Sequence, residues 1–387
     1  MSESRQEHPT LWTRGYLLNL VATFAFWFNV DFLLLALPLY MREEGFAASS
    51  IGLVFGAAAP GAIVARLLSG RAIDRSGGRL FLLGGAAAWA IGSGAMAFTV
   101  SLPVLFGLRL LQGAGLGVFT TASLAYVSYT VTPQQQEKAL GWWAAATPTM
   151  ATLAPVAAAL TLNSFGFTAA FFTASIAGLT AFVASLLLPS LTNRETNRSP
   201  SSASAVKRKP YVPEAILPGL FGGSVAVASG SFAAFAPLLA RERGFENVGL
   251  FLTLSALGSI LVRFVAGPLA EHKGRNWTVA PGLAIASFAL ILLGVTSQRY
   301  GLFIAPFLFG IGTGAAMPGL LAWAVARSGQ EERATAGGTF YAFFEVGLFL
   351  GPPVLGVLVE RLGFVAFSVP AVLLATALIA YLVVSRR

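Results

Sequence analysis

Three charged side chains stand inside long apolar runs of this chain: Asp31 in "FAFWFNVDFLLLAL", Arg109 in "LPVLFGLRLLQGAGLG" and Glu345 in "FYAFFEVGLFLG". A charge at the centre of a bilayer costs a few kcal/mol or more, so such residues are functional candidates by default. The chemistry they suit is proton exchange. A carboxyl group holds its proton more tightly in a low-dielectric cavity and releases it more readily beside a guanidinium. A conformational change that alters either factor changes proton affinity, and a cargo can compete with the proton. Asp31 and Arg109 could equally form a permanent buried pair that fixes helix packing, and Glu345 could serve either a cavity or a packing contact. Gln112 lies one turn after Arg109. Phe24 and Trp27 lie seven and four residues before Asp31, and Tyr341 lies four before Glu345, hence on the same helix faces. An acidic cavity walled by aromatics suits an amphipathic or cationic organic cargo.

These residues need apolar helices to hold them. Of the 387 residues, 56% are hydrophobic and only 11% charged, too few charges to cover a soluble protein of this length. The net charge of +9 is scattered through short connectors, which argues against a nucleic-acid face and for topology and anionic headgroups. There is no cysteine, and His8 and His272 sit in polar segments, so neither a disulfide nor a metal or other cofactor is expected. The two-residue alternation of a membrane barrel is absent. At about 20 apolar residues per crossing, the pattern predicts an all-α membrane protein. Its twelve spans lie near 15–40, 50–70, 80–100, 103–130, 139–162, 165–188, 213–239, 247–270, 277–296, 301–327, 335–359 and 364–384. By helical rise, Asp31 and Arg109 lie about 13 and 10 Å from the same membrane face, so they share a level if their helices face one cavity.

The polar stretch 189–212 divides the chain into six-span units at 15–188 and 213–384, with tails at 1–14 and 385–387. Termini and even-numbered connectors hold 17 Lys and Arg against five in the odd-numbered ones, which predicts both ends on the cytoplasmic side of a cell inner membrane. The two units are copies of each other. "PLYMREEGF" at 38 recurs as "PLLARERGF" at 237, "RLLSGRAIDRSGGR" at 66 recurs as "RFVAGPLAEHKGR" at 263, and "GAGLG" at 113 as "GIGTG" at 310. Asp31, Arg109 and Glu345 break the repeat, aligning with Gly230, Pro306 and Pro148. Arg66 aligns with Arg263 and Asp74 with Glu271, so these four read as scaffold or gate, clamping helix ends.

Here the sequence resembles the major facilitator superfamily. The signature turn is matched by Gly70, Asp74, Arg75, Gly77 and Arg79; the second copy keeps Gly267, Gly274 and Arg275, with Glu271 in place of the Asp and no arginine after it. The fourth-helix motif stands as Arg109, Gln112, Gly113 and Gly115, and a G-x-x-x-G-P motif in the eleventh helix as Gly347, Gly351 and Pro352. In the fifth helix Ala154 precedes Pro155 where antiporter members carry glycine, though Pro155 and its small neighbours still permit close packing. "GAGLG" lies within an apolar helix with no strand before it and is no dinucleotide loop. The resemblance implies two pseudo-symmetric six-helix bundles, alternating access governed by the charged turns, no enzymatic activity, and a monomer whose partners are lipid, protons and a small molecule. It is closest to the drug and metabolite efflux branch. Export or import of a sugar, metallophore or other metabolite, uniport, and a non-transporting receptor or scaffold are the alternatives.

Overall fold

The computed structural model describes residues 11–76, 78–189, 211–245, 247–296, 298–329 and 332–385. Twelve α-helices account for nearly all of them: α1 Arg14–Glu43, α2 Ala48–Gly56, α3 Ala58–Ser76, α4 Arg79–Met96, α5 Leu102–Thr130 and α6 Gln136–Leu186 in the first half, then α7 Ile216–Glu242, α8 Gly249–Lys273, α9 Asn276–Val295, α10 Arg299–Ala326, α11 Arg333–Leu362 and α12 Ser368–Ser385 in the second. Helices are forced by the solvent: in hydrocarbon every backbone N–H and C=O must be satisfied within the segment. Where the chain meets water, side chains take over, as at Thr13, whose hydroxyl accepts from the Tyr16 N–H at 3.3 Å.

Among the described residues ten helical stretches are long and apolar enough to cross a membrane. That differs from the expected spans in two places. The spans near 139–162 and 165–188 form one assigned helix, α6, of 51 residues, and Thr335–Ser385 is likewise a single stretch of 51. At 1.5 Å per residue each covers about 76 Å, more than twice a hydrocarbon core of about 30 Å. Each also contains a break: Gly166 at φ 75°, and the short 3₁₀ turn Gly363–Phe367. Divided there, and with α2 and α3 counted as one segment interrupted at Ala57, the ten stretches give twelve apolar helical segments among the described residues. Of the expected linker, residues 190–210 lie outside the described residues.

The repeat is written into the backbone. Among the described residues six glycines have positive φ, and they form three repeat pairs: Gly45 with Gly244, Gly78 with Gly274, and Gly166 with Gly363. Each occupies a turn that side chains resist. Helix pairing repeats as well: α1 packs on α6 as α7 packs on α11, α3 on α5 as α8 on α10, and α4 on α5 as α9 on α10. The halves meet along α2 with α11, α6 with α8, and α1 with α7. These contacts are close because small residues face backbone. A Cβ on Gly52 would overlap the Pro352 carbonyl, and one on Gly249 would overlap that of Pro155. The packing role expected of Pro155 and Pro352 is therefore played between halves, whereas Gly347 and Gly351 lie against Gly223 and Val227 of α7 within one half. Most of this interface lies toward the far end of the molecule, where α1 finishes; the near end is where α1 begins.

Candidate functional site

Asp31 sits midway along α1, which is apolar on every side and carries it inward; the residue is 6% exposed. One carboxyl oxygen, Oδ2, is buried without a hydrogen-bond partner. Since buried polar groups are nearly always paired, this oxygen marks a place that something other than the chain's own donors must satisfy.

Arg109 is 4% exposed and does not reach Asp31. It donates instead to Gln112 Oε1 at 3.2 Å and to the Phe55 carbonyl at 3.3 Å, with its guanidinium 5.7 Å from the Phe55 ring and 5.8 Å from the Trp89 ring. Gln112 Nε2 donates to Ser93 Oγ at 3.2 Å, and Ser93 Oγ donates to Asn29 Oδ1 at 2.8 Å. A continuous buried chain thus runs Asn29–Ser93–Gln112–Arg109–Phe55 through α1, α4, α5 and α2. The expected Asp31–Arg109 pair, permanent or switchable, is not formed. Arg109 gives one donor to Gln112, one turn along its own helix, and one to a backbone carbonyl, its guanidinium lies beside two aromatic rings, and its Nε is buried without a partner. Asn29, two residues from Asp31, carries the link between α1 and the network.

Glu345 does have a cationic partner, and it lies in the other half: Arg66 of α3 donates to its carboxylate. Arg66 sits about 15 Å and Glu345 about 18 Å from the near end by helical rise. The repeat predicts that Arg66 behaves like its partner Arg263. It does not, because the position matching Glu345 is Pro148, and Arg263 is exposed with no acid paired to it among the described residues. The pair therefore joins a repeated residue to an unrepeated one. Of the aromatics, Phe24 lines a shallow apolar groove between α1 and α6 with Phe28, Met150 and Ala177, and Asp31 is not part of it. Trp27 packs partly buried against the core beside Phe26, and Tyr341 is 46% exposed.

In the signature turn, Gly70 lies within α3, the side chains of Asp74 and Arg75 and all of Gly77 fall outside the described residues, and Arg79 donates to the Leu186 carbonyl. In the second copy Gly267, Glu271 and Gly274 are exposed, and Arg275 stacks on Trp323 at 4.7 Å.

The far end is closed by two crossed ion pairs. Arg42 meets Glu242 at 2.6 Å and Arg241 meets Glu43 at 2.7 Å, each running from the end of α1 to the end of α7. Glu360 adds a bond from the Ser49 N–H at 2.8 Å, and Thr253 donates to the Thr152 carbonyl at 2.8 Å, both across the halves. Asn29, Ser93 and the outer pairs escape a search for embedded charges. Extending the repeat comparison to uncharged polar residues finds the first two, since Asn29 aligns with Ala228 and Ser93 with Leu290.

Two pseudo-symmetric helical bundles with unrepeated polar groups between and within them define a membrane transporter rather than an enzyme. The chain belongs to the major facilitator superfamily, whose model matches residues 20–248 and again 220–387. NiaP of Bacillus subtilis, provisionally named a niacin/nicotinamide transporter, is 26% identical over 342 residues, 84% of this chain and 80% of that protein. The multidrug resistance protein MdtL of Shigella dysenteriae is 26% identical over 310 residues, 75% of this chain and 76% of MdtL. Among solved structures, the nucleoside transporter NupG has TM-score 0.76 at 15% identity, covering 96% of this chain and 99% of its own. An inward-facing, occupied bacterial homologue of the human lysosomal transporter Spinster has TM-score 0.74 at 15% identity, covering 95% of each chain. The last two resemblances are of fold.

Proposed function

We propose that this transporter exports a small amphipathic or cationic organic compound in exchange for protons by alternating access. The observation that carries the reading is Asp31, a carboxyl buried mid-helix with an oxygen that no group among the described residues satisfies. An ionised, uncompensated carboxylate costs several kcal/mol to enclose. The halves can therefore close over Asp31 only when a proton or a cationic cargo neutralises it. Two neutralisers competing for one carboxylate make an exchanger, because loading one displaces the other and the empty charged form cannot cross.

With the basic residues oriented toward the cytoplasm, the near end is cytoplasmic and the far end external. The crossed pairs and the packing of α2 on α11 and α6 on α8 then describe a molecule sealed outside, with Arg66–Glu345 as the innermost tie between the halves. For the chain to open outward, those ties must part. Protonation of Glu345 would release Arg66, which makes the pair a second point at which protons bias the exchange. The likeness to MdtL supports efflux. The likeness to NiaP favours a second reading, transport of a small metabolite.

Proton release on adding candidate compounds to detergent-solubilised protein tests the coupling. Release from wild type and none from Asp31→Asn is expected; equal release from both would move the assignment to Glu345. Counterflow in proteoliposomes separates transport from a receptor role, and loading from either face in turn separates export from import.

A further inference from the structure

The second copy of the charged turn departs from the first, and the departures converge in space. The residues matching Ser76, Tyr126 and Thr130 are Lys273, Trp323 and Arg327. The indole of Trp323, 2% exposed, has the Arg275 guanidinium 4.7 Å from its ring centre and that of Arg327 at 5.7 Å. Phe221 stacks on it at 5.9 Å, and Tyr381 meets it edge-on at 5.6 Å while donating to Asn276 Oδ1 at 2.7 Å. Two buried donors here, Arg275 Nε and Trp323 Nε1, have no acceptor. Among the described residues no carboxylate pairs with Lys273, Arg275 or Arg327. Two guanidiniums on one indole, one of them with an unpaired Nε, the unpaired indole N–H and the N-terminus of α9 leave an anion's worth of attraction unused, with Lys273 two residues before Arg275 in the chain.

What neighbours the spot says which anion. Lys273 lies 5.1 Å over the ring of Trp277, the first of an exposed apolar stripe down α9 that continues through Pro281, Ala284, Phe288 and Ile291. The stripe repeats every three to four residues, so it is one continuous helix face. A free phosphate has no use for it, but an acyl chain does.

We infer that the near end of α9, between α10 and α12, binds an anionic phospholipid. Its phosphate is held by Arg275, Arg327 and Lys273, and a chain lies along the α9 stripe. The first half carries no equivalent, because Ser76 and Thr130 offer no charge. The site is independent of cargo and of transport direction.

The test uses the full chain in neutral detergent, with lipid adducts counted by native mass spectrometry on adding phosphatidylglycerol or phosphatidylcholine. Phosphatidylglycerol should be retained in preference. Arg275→Gln and Arg327→Gln should each weaken that preference about fivefold, the value of one basic group near a lipid surface, and the double variant should abolish it. Arg299→Gln, an exposed arginine at the other end, should change nothing. Arg327 is itself exposed, so Arg327→Gln leaves the packing intact and decides the matter if Arg275→Gln fails to fold. A double variant with wild-type preference overturns the proposal. So does inorganic phosphate that displaces phosphatidylglycerol from wild type, since the ligand would then be a free anion.

Discussion

The two halves share a backbone plan and differ in what they bury. Among the described residues, the first encloses amides and charges at Asn19, Asn29, Asp31, Arg109 and Gln112 besides the hydroxyls of Thr23, Ser69, Ser93, Ser123 and Ser185; the second encloses only hydroxyls, at Ser224, Ser231, Thr253, Thr278, Ser287 and Thr339. A hydroxyl can be satisfied by its own helix, as Ser224 is by the Phe221 carbonyl at 2.7 Å and Thr339 by that of Thr335 at 2.9 Å. Amides and guanidiniums carry more groups than one helix turn satisfies, and the chain Asn29–Ser93–Gln112–Arg109 joins α1, α4 and α5 although its last link lies within α5; the counterparts are Ala228, Leu290, Phe309 and Pro306. At that level the second half packs by shape, with Phe309 stacked on Phe232 at 4.5 Å. The difference teaches that one half fixes helix positions through polar specificity while the other offers an apolar partner able to slide. Chemistry is expected where positions are fixed.

The sharpest way to break that contrast is Asp31→Asn. Cargo-driven proton movement in proteoliposomes should fall by about 100-fold or more, because several kcal/mol of charge burial, at about 1.4 kcal/mol per tenfold, no longer distinguishes loaded from empty. Neutral compounds should still bind; cations should bind more weakly. Next in size, Arg66→Gln or Glu345→Gln alone leaves an uncompensated charge between the halves and should slow exchange about tenfold, while the double variant should recover part of the loss. If the double variant is as slow as the sum of the singles, the pair is not a unit. Within the polar network, Ser93→Ala removes the partner of Asn29 Oδ1 and of Gln112 Nε2 and should cost about 1–3 kcal/mol, against about 1 kcal/mol for Ser287→Ala in the other half. Thermal unfolding in detergent compares them, and equal losses would erase the contrast. The smallest effect belongs to the exposed pairs: Arg42→Gln should shift the balance toward the outward-open form by no more than about fivefold. The chain has no native cysteine, so Ala47→Cys at the far end reports that shift through its labelling rate.

Much of the fold can be read in the sequence, because apolar length sets the spans and the duplicated strings set the halves. Two of the three glycine pairs with positive φ, Gly45 with Gly244 and Gly78 with Gly274, sit in those strings. Asp31 and Arg109 are legible as charges without a repeat partner. Their partners are not legible. Arg66–Glu345 spans 279 residues and crosses the halves, so no local spacing announces it. Spacing places Phe24 and Trp27 on the face of Asp31, but helical spacing alone does not say whether that face meets a cavity, another helix or lipid. Asn29 and Ser93 are uncharged, and it is their neighbours that make them matter.

The crossed pairs at the far end have a consequence for symmetry. Arg42–Glu43 on one half faces Arg241–Glu242 on the other, so the same two-residue word meets itself head to head. That is an isologous contact, the kind by which a homodimer closes around a twofold axis. A single six-helix unit bearing Arg-Glu at the end of its first helix would be complementary to its own copy. Covalent fusion then frees each copy from matching the other: a substitution such as Asp31 opposite Gly230 is made once, rather than twice across the axis, where two facing carboxylates would repel. The tandem chain is thus a dimer licensed to be unequal.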